Sequence, residues 1–170
     1  MLLDWITAKI NSSKSQNTAP PEPVYAPNTS IKFDHDLIEV LEAEHQALLK
    51  LFGNVLNFVK VGRQEQARRS LIKFRDLLVG HILKENTSLY IYLKHAVEDD
   101  ATTEIVTTMK TEMDDIGRVV VKFLNDHIKN PANLDQEFVE KFEVIGEKLV
   151  RRIQNEESHL YPVYSAPATH

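Results

Sequence analysis

DHDLIEVLEAEHQALLKLFGNVLNFVK, residues 34–60, is the stretch on which the fold turns. Leu37, Leu41, Leu48, Phe52, Val55 and Val59 recur every three or four residues, the period at which side chains stack along one face of an α-helix. Asp34 can offer a side-chain oxygen to the first free backbone amides, so a helix is expected from about Asp34 to about Lys60. Gly62 then breaks the chain. One residue interrupts the apolar stripe. His45 lies four after Leu41 and three before Leu48, on the face that must be buried.

The helical period continues towards the C-terminus. A second helix is expected from about Gln64 to Ala96, with Leu71, Phe74, Leu78, Leu89 and Tyr92 on one face, and Asp99 and Asp100 mark the turn after it. A third covers about Thr102 to Lys129 through Ile105, Met109, Met113, Ile116, Val120 and Phe123. Asn130 and Pro131 end it, because proline cannot continue a helix without strain. A fourth runs from about Asp135 to Tyr161 through Phe138, Phe142, Ile145 and Leu149, and Pro162 stops it. Four long helices on short connections predict an all-α fold, an up-down-up-down antiparallel four-helix bundle. No sequence repeat stands out beyond the helical period itself.

Residues 1–30 read differently. Leu2, Leu3, Trp5, Ile6 and Ile10 fit one short amphipathic helix, and Asn11 to Ser30 has a linker composition with prolines at 20, 21, 23 and 27. This N-terminal extension is a frayed tail, a docking arm for a protein partner, or a strap laid over the bundle through Val24 and Tyr25. The bundle domain is expected over residues 31–164, with a short tail at 165–170.

Composition narrows the function classes. Hydrophobic residues make up 42% and charged residues 26%, ordinary for a globular chain, and five glycines are too few for a turn-dense all-β fold. A net charge of -5 argues against a nucleic-acid partner, since tracking phosphates needs clustered cations. The basic pairs Arg68-Arg69 and Arg151-Arg152 sit among acidic residues and, taken as pairs, read as solvated helix faces. The absence of cysteine removes disulfides, thiolate metal sites and cysteine nucleophiles. No secretory signal is apparent and no apolar run approaches the ~20 residues of a membrane span, so no membrane association and a cytoplasmic location are expected. No P-loop, glycine-rich dinucleotide turn, nucleophile elbow or H-E-x-x-H unit appears, so an enzyme is not expected.

The inner faces carry more than one ionisable group. His81 comes three after Leu78, and Glu85 follows four later on the same face. In the fourth helix Arg152 comes three after Leu149, and Glu156 four after that. The third helix offers only Met113 at the matching place. Burying an unpaired charge is costly, so these groups must meet each other, water or a metal. Imidazole and carboxylate suit iron, zinc or manganese, and a bundle core is a place where such sites are built. His35, His95, His127, His159 and His170 lie off these positions and read as rim, surface or tail residues. Tyr90, Tyr92, Tyr161 and Tyr164 read as packing anchors with wet hydroxyls.

The segments EAEHQALL (Glu42 to Leu49), GHILKENTSLYIYL (Gly80 to Leu93) and RRIQNEESHLYPVY (Arg151 to Tyr164) resemble signatures of hemerythrin-like (HHE cation-binding) proteins over about Ile31 to Tyr164. The resemblance is strongest at His81-x-x-x-Glu85 with Leu89-Tyr90, and at Glu156 with Leu160-Tyr161-Pro162. It implies that His45 and His81 are one iron's histidines and that Glu85 and Glu156 are the carboxylates that bridge two irons. Met113 and Arg152 stand where both histidines of the second iron would be. Three readings follow. In the first, one iron or other divalent metal is held by His45, His81, Glu85 and Glu156, with room for water or a small diatomic ligand. In the second there is no metal, and Arg152 neutralises the two glutamates within a regulatory or partner-binding module. In the third, an unidentified ligand completes a di-metal site. By resemblance, the role is binding or sensing.

Overall fold

A computed structural model describes residues 23–130 and 134–166. The short helix expected near the N-terminus, and most of the linker, lie outside these residues. Helix α1 is Leu37–Lys60, α2 Gln64–Lys84, α3 Tyr90–Ala96, α4 Asp100–Lys129 and α5 Gln136–Asn155. Helices α2 and α3 form one bundle helix, joined by a single π-helical turn at Glu85–Leu89. Helix α5 likewise passes through a π turn, Glu156–Leu160, into a short 3-10 turn, Tyr161–Val163. The result is an all-α four-helix bundle. Helix α1 packs against α2 and α5, and α4 packs against α2 and α3.

The ends follow local chemistry. Asp99 caps α4 by accepting the Thr102 amide at 2.8 Å, and Asp135 caps α5 by accepting the Phe138 amide at 2.9 Å. Helix α1 starts later than Asp34 predicts. Asp34 accepts the Asp36 amide in a local turn, and regular helix begins at Leu37. Gly62 has φ +71°, and its amide reaches Val59 O while Arg63 reaches back to Phe58 O, closing the end of α1 in a conformation that glycine tolerates. At Gly146, helix α5 lies directly on Phe52: a Cβ there would stand 2.2 Å from Phe52 Cζ.

Most of the expected stripes point inward, with one displacement. Ile105 is 48% exposed and Val106 takes the buried place, so α4 is rotated by one residue from its expected face near its start. The described part of the N-terminal extension is more than a spacer. Tyr25 and Lys32 form an isolated antiparallel bridge, Ala26 is buried, and Val24 packs on the core while Tyr25 stays largely outside. Tyr164 fastens this segment, its hydroxyl accepting the Asp34 amide at 2.9 Å and donating to Asp34 O at 3.2 Å.

The core is two apolar clusters. One holds Leu48, Leu71, Phe74, Leu78, Met113, Phe142 and Leu149. The other holds Leu37, Leu41, Leu89, Tyr90, Met109, Leu160 and Tyr161. Along three of the four bundle helices the change of cluster falls at a buried ionisable residue: His45 between Leu41 and Leu48, His81 and Glu85 between Leu78 and Leu89, Arg152 and Glu156 between Leu149 and Leu160. In α4 it falls between Met109 and Met113 with none buried. A polar layer divides the bundle.

Candidate metal centre

All five of these ionisable side chains are buried, none more than 4% exposed. Each π turn begins at one of the two glutamates. The Tyr90 amide bonds Glu85 O and the Tyr161 amide bonds Glu156 O, five residues back in both cases. In a regular helix a residue five along points about 140° away. The wider turn brings the tyrosine back towards the glutamate's side, and π turns of this kind occur frequently at functional sites. Tyr161 donates its hydroxyl proton to Glu85 Oε1 at 3.2 Å, and Tyr90 OH accepts from Arg152 Nη2 at 2.7 Å. Both hydroxyls are therefore inside the polar layer, not in water as the sequence led us to expect. Burial pushes the ionisation of both phenols upward, which keeps them protonated.

Across the layer, His45 and His81 present Nε2 to Nε2 at 3.2 Å. The opposite nitrogen of each ring meets a carboxylate: His45 Nδ1 lies 2.9 Å from Glu157 Oε1, and His81 Nδ1 lies 3.0 Å from Glu44 Oε2. An ionised carboxylate only accepts, so each Nδ1 carries the hydrogen. The lone pair of each neutral ring then sits on Nε2, aimed at the centre. Carboxylates behind ligating imidazoles are a common device for fixing the tautomer and raising ligand basicity. Glu44 is itself tied to Lys84.

Glu156 Oε2 is 3.2 Å from His45 Nε2, and Glu85 Oε1 is 3.9 Å from His81 Nε2. Ligand atoms of His45, His81 and Glu156 all lie within 4.8 Å of one another. Glu85 Oε2 is buried without a hydrogen-bond partner. Acceptors thus crowd one point, with the Tyr161 hydroxyl beside them, 3.3 Å from His45 Nε2. Such a constellation could hold a cation. Imidazole nitrogens about 2.0–2.1 Å from a shared ion stand roughly 3 Å apart, which matches the observed separation. The donor set fits iron, zinc or manganese.

Without a metal, a proton takes that role. Burial alone would lower the affinity of His45 for a proton, but hydrogen bonds to Glu156 and Glu157 outweigh it and the net shift is upward. His81 is shifted downward by burial and by the charge on His45. Burial and the neighbouring Glu156 charge push Glu85 up to about 8. Glu156 is also opposed by burial, yet His45 and Arg152 hold it below the usual carboxylate range. The metal-free layer therefore favours the protonated form of His45 more than an isolated imidazole would, and keeps a proton on Glu85 up to about pH 8.

Arg152 closes the other side. The pair Arg151-Arg152 is not a solvated face: Arg152 is 4% exposed and donates Nε to Glu156 Oε1 at 2.5 Å. Of the other three arginines in the two basic pairs, Arg68 is half-buried and donates to Ile128 O, while Arg69 and Arg151 are exposed. Met113 is buried beside Arg152 in the wall of a small apolar cavity. His35, His95 and His159 are exposed, His127 is half-buried on Phe123 O, and none approaches the layer. Sequence reasoning missed Glu44, Glu157 and the inward hydroxyls of Tyr90 and Tyr161. Their signals are the carboxylates adjacent in sequence to His45 and Glu156, and the repeated Glu-x-x-x-Leu-Tyr.

Residues 36–164, most of the chain, match the family described as the hemerythrin HHE cation binding domain. The chain belongs to the hemerythrin family. No curated protein and no solved structure matches it significantly. The family and the cluster of His45, His81 and Glu156 together suggest binding of a metal or a small ligand. Among its described residues, no helix is long and apolar enough to cross a membrane.

Proposed function

We propose that this hemerythrin-family bundle binds a single divalent metal, iron by the chemistry of the family, through His45, His81, Glu85 and Glu156. Its role is binding or sensing and not catalysis. The observation that carries this reading is the 3.2 Å approach of two imidazole nitrogens whose other nitrogens are both engaged by carboxylates. Arg152 and Met113 occupy the side on which a second ion would need its histidines, and the guanidinium charge repels a further cation there. Bound iron would supply a coordination position for a small ligand. Around it the chain does the rest: Glu44 and Glu157 orient the imidazoles, Tyr161 holds a proton against Glu85, and the apolar clusters exclude water. Calorimetric titration with ferrous iron under anaerobic conditions tests the assignment. Wild type should bind stoichiometrically, and His45→Ala and His81→Ala should each lose the isotherm. Unchanged binding in both variants would place the metal elsewhere.

A second reading has its own support. Arg152 already compensates Glu156 through a short buried ion pair, as expected if the guanidinium replaces a metal outright. The protein would then be a metal-free regulatory or interaction module. The same titration separates the two, since that module gives no isotherm at all.

A further inference from the structure

Nothing reaches the polar layer unless a side chain moves. His45, His81, Glu85, Arg152 and Glu156 are buried, and the cavity of about 20 Å³ beside them has room for one molecule the size of water. An ion or a small ligand must therefore cross a wall of the bundle. Phe52 and Gly146 line that inner cavity, and the same two residues line a groove of about 590 Å³ on the outer surface between α1 and α5. One aromatic ring thus stands between the centre and solvent. Glu157 and Glu44 also reach the rim, but each is bonded to an imidazole of the centre, so entry past them would disturb the ligands themselves.

The contact between those two residues has the form of a shutter. Phe52 is half-buried, and its ring lies on the backbone of Gly146, where a Cβ would stand 2.2 Å from Cζ. Only glycine lets the ring come so close to α5. Phe142 holds the ring in place, with centroids 4.5 Å apart, and Phe74 does so more loosely at 6.4 Å. The groove is wide enough to receive a phenyl ring, so a change of side-chain rotamer can open the wall without breaking helix α1. Resting on the metal assignment above, we propose that Phe52, seated on Gly146, is the port through which a divalent ion and its small ligand reach the His45–His81 centre. The ring sets the size of what can enter. Glu143 and Glu147, set against Arg151 in the lining of the groove, leave its mouth one net negative charge, which favours the approach of a cation.

Zinc exchange provides the test. Zinc-loaded protein mixed with excess chromogenic chelator gives the release rate, and zinc mixed with metal-free protein gives the uptake rate. A port is a barrier and not a ligand, so changing it moves both rates together and leaves the dissociation constant in place. Phe52→Ala should raise both about 10-fold, the rate equivalent of losing one aromatic contact. Val150→Trp, at an exposed position in the groove, should slow both, and this decides the matter even if Phe52→Ala does not fold. In metal-free protein, deuterium exchange at the ring Cε1 of His45 and His81, read by mass spectrometry, should follow the same order. Zinc rates unmoved in both variants, or moved only through a changed affinity, overturn the port and leave the metal assignment standing. Wild type that takes up no zinc overturns the metal assignment and the port as an ion route, and histidine exchange that is equally unmoved removes the route altogether.

Discussion

Arg152 donates its Nε to Glu156 Oε1 at 2.5 Å, with both side chains almost wholly buried. Glu156 in turn lies 3.2 Å from His45 Nε2. The guanidinium and the imidazole pair thus share one carboxylate, so whatever sits between the histidines must act on the stability of the ion pair.

The first prediction follows from that sharing. In metal-free protein, Arg152→Ala should cost about 3–5 kcal/mol, the range for breaking a buried ion pair by removing one partner. With metal bound the loss should be smaller, because the ion compensates Glu156 directly. Chemical denaturation with and without metal measures both, and an equal loss in the two conditions would disconnect Arg152 from the site.

A second prediction concerns pH. Glu85 keeps its proton to about pH 8 in the folded chain, whereas an ordinary glutamate loses it near 4.5. Across that window the folded state binds the extra proton, so Glu85 makes metal-free stability fall as pH rises towards and through 8. His45, raised above 6.5, acts in the same sense. His81 and Glu156, both lowered, act in the opposite sense at lower pH. Thermal unfolding of metal-free protein should show a decline between about pH 6.5 and 8 that levels off above it, and metal should bind more tightly as pH rises, with proton release. Glu85→Gln should flatten the decline and weaken metal binding.

The outer carboxylates give a third. Glu44→Ala and Glu157→Ala each leave one imidazole without its Nδ1 partner. Metal affinity should drop about 10–100-fold for each, the usual effect of losing such a group. The fold should survive, since both positions reach the rim. Metal affinity unchanged in both would mean that the imidazoles are oriented by packing alone.

Much of this was legible in the sequence, for a definite reason. Apolar residues such as Leu71, Phe74 and Leu78 repeat with the helical period over long segments, and His45, His81, Glu85, Arg152 and Glu156 interrupt that pattern where only a burial requirement makes them conspicuous. What was not legible depends on departures from the period. Tyr90 and Tyr161 come five residues after their glutamates and face inward only because a π turn intervenes. Glu44 and Glu157 look like surface charges until the rings of His81 and His45 reach them across the bundle. Ile105 yields to Val106 because the two stand four and three residues before the buried Met109, both helical spacings, and the period alone does not choose between them.

A fourth prediction restores what the chain lacks. Met113→His combined with Arg152→His places two imidazoles in the wall of the cavity beside Glu156. The double variant should take up a second metal, and either single variant should not.

The count of metal ions per chain in the wild type tests the central claim most directly. Native mass spectrometry of protein reconstituted anaerobically with excess iron(II), then desalted, should show one ion per chain, and none in His45→Ala. Two ions per chain, or none in the wild type, would contradict the account.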